Sequence, residues 1–388
     1  MEKQDKVLNK IKLSQKHGNE GQLGTKKNDE CYTSLIDINT ELSHYAEAGR
    51  FVGKNIICPC DWDIADDEEI YSINIIYKDL DVEVIGNNVY KAVKKVSIQK
   101  YAECGHEPAF DLSDSIPQDK TELVTIDLAE DEIEDFLRDK LTCNFLRTLT
   151  QNARAWGIKS ITASGYNPAN DRGIKFQDVD YSKYDLCITN PPFSLYSTFM
   201  KCIVGHIDFI VLAPFMNRTN PCIGVPLMTK QAYLGFGRHL ALCFNNPTKE
   251  NKYNTKMVAC DWITSFPDAQ LEYDNKQVRH TIDYELYKDE YMLMPKMIMK
   301  DDTVAIKVPM TYPTNYDGWM FGGINILDTL NQNEYEWYMT HCTGYLNAHP
   351  EISPFKNKIK EIETLKGADG KGNFGGIIFR KRQVNKDE

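Results

Sequence analysis

The chain has no apolar run long enough to span a bilayer. Its longest, Phe209 to Met216, falls well short of the roughly 20 residues a membrane helix needs. The N-terminus is polar and lysine-rich rather than a signal peptide, so a cytoplasmic protein with no membrane partner is expected. Paired cysteine spacing is missing as well: the 11 cysteines are odd in number and scattered, and no CxxC pair occurs. That argues against a disulfide framework and for reduced thiols. Cys58 with Cys60, and Cys104 with His106, are close pairs without a matching second half, so no metal site is expected. A disordered composition is absent, since 42% of residues are hydrophobic and Tyr, Phe and Trp number 21, 16 and 5. Nor does any Ser-His or Cys-His arrangement stand out, which directs attention to chemistry that needs orientation rather than a nucleophilic side chain.

A general excess of positive charge is also lacking. The net charge is −11, but it is unevenly placed: residues 64–140 hold 20 acidic and 8 basic side chains, a balance of −12, leaving about +1 for the rest. Residues 1–27 carry seven lysines against three acids, an arm that either lies along phosphates or is a solvated tail.

With 388 residues, a core domain plus a smaller module is expected. Residues 1–28 read as a flexible basic tail. Tyr32, Leu35, Ile36, Ile38, Leu42 and Tyr45 predict a helix entered from a Tyr-Thr turn. Asn55 to Cys58 predict a buried strand, and residues 64–140, with short β-like runs and acidic loops, read as an insertion. Phe145, Leu146, Leu149, Ala153 and Trp156 recur at helical spacing, closed by Gly157. Strands follow at Ser160 to Ala163, Tyr184 to Ile188 and Phe209 to Ala213, with a helix over Leu195 to Ile203 between the last two, and a further strand at Val258 to Phe266. The alternation predicts an α/β fold, a parallel sheet with helices on both faces, over 29–266. Residues 267–388 form a second module. In such folds ligands bind outside the carboxyl ends of the strands, where Cys60 to Asp63, Ser164 to Tyr166 and the segment behind Ile188 would gather.

That last segment is the most informative in the chain. Thr189-Asn190-Pro191-Pro192-Phe193 directly follows a strand, and a rigid turn carrying one amide side chain suits methyl transfer to a planar amine. The Asn190 amide oxygen can accept from an NH2 group. The Pro191 carbonyl, fixed by the following proline, offers a second acceptor, and Phe193 a flat face for a base to stack on.

Several blocks extend this motif: Asp29 to Thr33, Ile56 to Asp63, Cys143 to Pro168 and Gly173 to Ser194, with weaker stretches at Val258 to Phe266 and Asn315 to Trp337. Together they resemble the EcoRI-type adenine-specific DNA methyltransferases. The resemblance implies a Rossmann-like class I methyltransferase sheet, S-adenosylmethionine as cofactor, and site-specific transfer to the N6 amine of adenine in double-stranded DNA after base flipping. Position by position, Tyr32 and Thr33 match the motif that touches the cofactor's methionine end, and Pro59 and Cys60 the Pro-Cys ending the first strand. Asp178 matches the acidic position that binds the cofactor's adenine, with Asp180 as the competing choice, and Ser164 a ribose contact. Asn190, Pro191, Pro192 and Phe193 match the catalytic turn. The usual glycine-rich turn is replaced by Asp61-Trp62-Asp63, so Asp61 is expected either to meet the cofactor's amino group or to be an ordinary acidic loop residue.

The resemblance places target recognition after residue 267. Arg218, Lys230, Arg279, His280, Lys296 and Lys300 are candidate phosphate or base contacts, each with a solvated surface role as its rival. A monomer is expected, with or without a companion restriction endonuclease. Other readings stay open: a non-catalytic DNA-binding protein on the same fold, or a methyltransferase acting on RNA or on a protein glutamine.

Overall fold

The computed structural model describes residues 31–62, 70–79, 88–103, 121–168, 171–238, 241–245, 257–276, 283–285, 304–306, 312–339 and 376–382. The strands are β1 (Cys31–Thr33), β2 (Asn55–Cys58), β3 (Ile70–Tyr77), β4 (Val93–Glu103), β5 (Thr121–Asp127), β6 (Ser160–Ser164), β7 (Tyr166–Asn167), β8 (Arg172–Gly173), β9 (Leu186–Thr189), β10 (Asp208–Pro214), β11 (Tyr233–Leu234), β12 (Ala241–Asn245), β13 (Met257–Thr264), β14 (Val304–Ile306), β15 (Met320–Gly322), β16 (Tyr335–Met339) and β17 (Ile377–Lys381). The helices are α1 (Leu35–Glu47), α2 (Ile133–Lys140), α3 (Asn144–Asn152), α4 (Tyr196–Ile203), α5 (Pro221–Met228) and α6 (Asp268–Lys276).

Among the described residues, eleven strands form one sheet in the order β1-β12-β13-β10-β9-β2-β6-β3-β4-β5, with β11 beside β13. Its centre is parallel: β6, β2, β9 and β10 run together. Antiparallel β13 closes one flank and antiparallel β3 the other. The fold is α/β and Rossmann-like as expected, but the parallel region is narrower than the alternation suggested. The reason lies in β13, which runs antiparallel to β10. Of residues 64–140, the described strand β3 pairs onto β6, β4 onto β3 and β5 onto β4, so they continue the sheet and widen the core.

The central strands read as short, almost wholly apolar runs because both their faces are covered. Ile56, Ile188, Ile210 and Leu212 point to one side, with Leu42 and Tyr45 of α1 and Phe145 and Leu149 of α3. Ile57, Cys187, Phe209 and Val211 point to the other, with Phe199 of α4 and Ile223 of α5. The alternation is the period of two that a strand imposes.

The first helix follows Tyr32-Thr33 as expected, but those two residues form a strand rather than a turn. Ser34 caps it by accepting from the Asp37 N–H at 3.1 Å, while Tyr32 and Thr33 pair in β1 with Phe244 and Cys243. Gly157 closes the turns after α3 at φ +70°, a conformation that favours glycine.

The C-terminal strands β14-β15-β17-β16 make a separate four-stranded sheet, yet not an independent core. Ile306, Met320, Tyr335 and Phe379 share one buried cluster with Phe199, Ile223 and Leu227 of α4 and α5. Among the described residues no helix is long and apolar enough to cross a membrane.

Candidate functional site

Strand order reverses around β2: the chain goes from β2 to β6 on one side and then to β9 on the other. The carboxyl ends of β2 and β9 therefore flank the point where a crevice opens in this class of sheet. Pro59, Cys60 and Asp61 follow β2 there, and Asn190 to Phe193 follow β9. Pro191 is buried, while Asn190, Pro192 and Phe193 are half-buried. Phe193 packs against the apolar clusters of both sheet faces, as a side chain on the rim between them must.

Asp61 joins the two loops. Its carboxylate accepts from Thr189 Oγ1 at 2.5 Å, from Cys143 Sγ at 3.6 Å and from the backbone N–H of Asn190. Burial raises its carboxyl to about 7, against the lowering effect of those three donors. The neighbouring thiols of Cys58, Cys60 and Cys143 are likewise pushed up by burial. Cys143 precedes α3, and the next residue, Asn144, donates from Nδ2 to the Thr33 carbonyl at 2.8 Å. A continuous set of contacts thus runs from Thr33 through the start of α3 and Asp61 to Asn190, uniting candidates separated by more than 150 positions.

The missing glycine turn has a structural substitute. Trp62 is buried, donates from its indole N–H to the Ile70 carbonyl at 2.9 Å, and donates from its backbone N–H to the Ser164 carbonyl at 3.3 Å. An aromatic anchor and two hydrogen bonds hold this loop where backbone compactness would otherwise be required.

Ser164 ends β6 at the same edge. It is 2% exposed, and its hydroxyl has no hydrogen-bond partner among the described residues. Asp178 is exposed with no hydrogen bond or ion pair on its carboxylate among the described residues. Asp180 is engaged: it accepts from Ser182 Oγ at 2.6 Å and pairs with Lys183 at 3.3 Å. The Asp178 carboxylate is thus left open, and that of Asp180 is not.

One candidate nucleic-acid contact needs correction. Arg218 is fully buried, bidentate to Asp261 at 2.6 and 2.7 Å and bonded to Asp328 at 2.7 Å. A guanidinium held by two carboxylates inside the protein presents nothing to phosphates. Lys230 follows α5 and is exposed. Arg279, His280, Lys296 and Lys300 lie outside the described residues, as do residues 1–28 and Asp63; Tyr32 lies in β1.

Composition and spacing missed Cys143, Asn144 and the bracing role of Thr189. Their partners stand 82, 111 and 128 positions away, and a polar residue beside a strand or helix end carries no local signal of such a contact.

Compared with curated proteins, the chain is similar to the Type II methyltransferase M.MgeORF184P of Mycoplasma genitalium, with 22% identity over 223 residues, 52% of this chain. The similarity spans 65% of that protein, less than two thirds of its length. No family model matches, and no solved structure does.

Proposed function

We propose that this chain transfers a methyl group from S-adenosylmethionine to the N6 amine of adenine in double-stranded DNA, after the pattern of the EcoRI-type enzymes. The observation that carries this reading is the Asn190-Pro-Pro-Phe turn at the carboxyl end of β9, braced across the switch point by the loop after β2. The similarity to a protein named as a Type II methyltransferase supports it.

The groups at this edge fit the cofactor. The buried, unpartnered Ser164 hydroxyl suits a ribose, the open Asp178 carboxylate suits an adenine amine, and the Thr33 region and Pro59-Cys60 suit the methionine end. When bound, S-adenosylmethionine supplies an electrophilic methyl on a sulfonium, which leaves as a neutral thioether. Asn190 Oδ1 and the Pro191 carbonyl accept from the target amine and turn its lone pair toward the incoming methyl, the methylated amine then releasing a proton to solvent; Phe193 stacks on the extruded base. No side chain needs to act as a nucleophile. Target recognition falls to the C-terminal module, with Arg279, Lys296 and Lys300 as proposed contacts.

The test is to incubate the protein with labelled S-adenosylmethionine and unmethylated duplex DNA, digest to nucleosides, and identify the labelled one. Label in N6-methyldeoxyadenosine that Asn190→Ala abolishes is the expected result. Cofactor binding without label in DNA would move RNA or a protein glutamine forward. An absence of saturable heat with S-adenosylmethionine would favour a non-catalytic DNA-binding protein.

A further inference from the structure

We propose that Asp61 is a positioning residue for the Asn190 turn, fastening it to the loop after β2 through Thr189 Oγ1 and the Asn190 backbone N–H, rather than a ligand of the cofactor's amino group. The fastening itself is independent of any substrate; its consequence for turnover rests on the methyl-transfer reading above.

The argument is geometric. Asp61 is 7% exposed, and both its oxygens are already engaged by protein donors, Oδ2 by Thr189 and Oδ1 by Cys143. A carboxylate reserved for an ammonium ligand would be expected to keep an oxygen open to the crevice. These donors come from separate elements: the last residue of β9, the first residue of the catalytic turn, and the residue preceding α3. Asn190 must hold its amide oxygen within hydrogen-bond reach of an amine, and a small misplacement of such a group costs orders of magnitude in rate. Neither proline of the turn has an N–H to anchor it. Asn190 and Thr189 are therefore the nearest donors preceding the prolines by which the turn can be tied down, and Asp61 takes both.

Titration offers a readout that a merely structural residue would not share. Among the described residues, the titratable groups facing Asp61 are the thiols of Cys58 at the end of β2, Cys60 just after it, Cys187 on β9 and Cys143 before α3. All are held above the usual thiol range by burial and so remain protonated near neutrality. The carboxyl near 7 is thus the group of this cluster that changes charge there, and its ionised form is the stronger acceptor.

The experiment compares wild type, Asp61→Asn and Thr189→Val as full chains. Hydrogen exchange on a peptide covering Leu186 to Leu195 reads the fastening without any activity. Exchange at least ten-fold faster in Asp61→Asn, and less so in Thr189→Val, with β10 peptides unchanged, is expected; unchanged protection overturns the proposal. In methyl transfer, kcat should fall at least ten-fold in Asp61→Asn while the S-adenosylmethionine Kd stays within three-fold. A Kd that rises in step with the loss would make Asp61 a cofactor ligand and overturn it. Wild-type kcat should rise with pH through a midpoint near 7. Thr189→Val, which removes a donor to the ionised form, should move that midpoint upward, and a fixed midpoint would count against the proposal. If Asp61→Asn does not fold, Thr189→Val carries both readouts. If wild type methylates no DNA, the exchange result still decides the role of Asp61, and the substrate reading fails separately.

Discussion

Arg218 shows how little a residue type says about its use. In sequence it is a cation in a loop after a strand; in the fold its guanidinium satisfies Asp261 on β13 and Asp328 beside the C-terminal sheet. Removing one partner of such a buried set leaves an uncompensated charge, which costs roughly 3–5 kcal/mol. Arg218→Ala should lower the urea midpoint of unfolding by a corresponding amount, and a change typical of an exposed arginine would show that the burial is misplaced. Phe193 stands at the opposite limit, legible from sequence and half-buried on the rim of both apolar clusters. If it stacks on the substrate base, a contribution of about 1–3 kcal/mol means that Phe193→Ala weakens the productive complex about five-fold or more. Steady-state kinetics on duplex DNA would measure this.

Among elements, α1 and the loop after β11 illustrate coupling that no local pattern announces. Glu41 on α1 is buried and accepts from Tyr45 Oη at 3.0 Å and from the backbone N–H groups of Phe236 and Gly237 at 2.9 and 2.6 Å. The loop approaches so closely that a Cβ at Gly235 would fall 2.5 Å from the Trp262 Cβ. Gly235→Ala must therefore displace β13 or α1, and overpacking of that kind costs about 1–3 kcal/mol. Equilibrium denaturation is expected to show that loss. The helices and central strands themselves were readable, because apolar periodicity is a local property: β2 runs over Asn55–Cys58 as anticipated, and α4 and β10 lie within a residue of their expected limits. The fate of residues 64–140 was not readable, since pairing of β3 onto β6 depends on a register between segments some 90 positions apart.

At the scale of the whole molecule, Glu41 and Asp61 make stability depend on pH. Burial raises both carboxyls to about 7, above their unfolded values. The native state therefore binds more protons than the unfolded chain between about pH 4 and 7, and stability contributed by these groups falls as pH rises through that window. The urea midpoint should decline less between pH 5.5 and 8 in Glu41→Gln than in wild type, and equal declines would remove Glu41 as a cause. The C-terminal sheet shares its core with α4 and α5, so the described parts should unfold in one cooperative transition by calorimetry, and a chain cut near residue 267 should not retain the native fold of the rest.

The amino-acid sequence by itself determined the α/β class, the strands of the sheet centre and the Asn-Pro-Pro-Phe turn behind β9, because periodicity, chain stiffness and turn chemistry act over a few neighbouring residues. Tertiary structure alone decided the company that turn keeps. Asp61, Cys143 and Thr189 meet across the switch point, Arg218 withdraws into an ion pair, and the strands of residues 64–140 join the sheet. Each of these outcomes rests on contacts between distant segments, where the favourable partner exists only once the chain has closed around it.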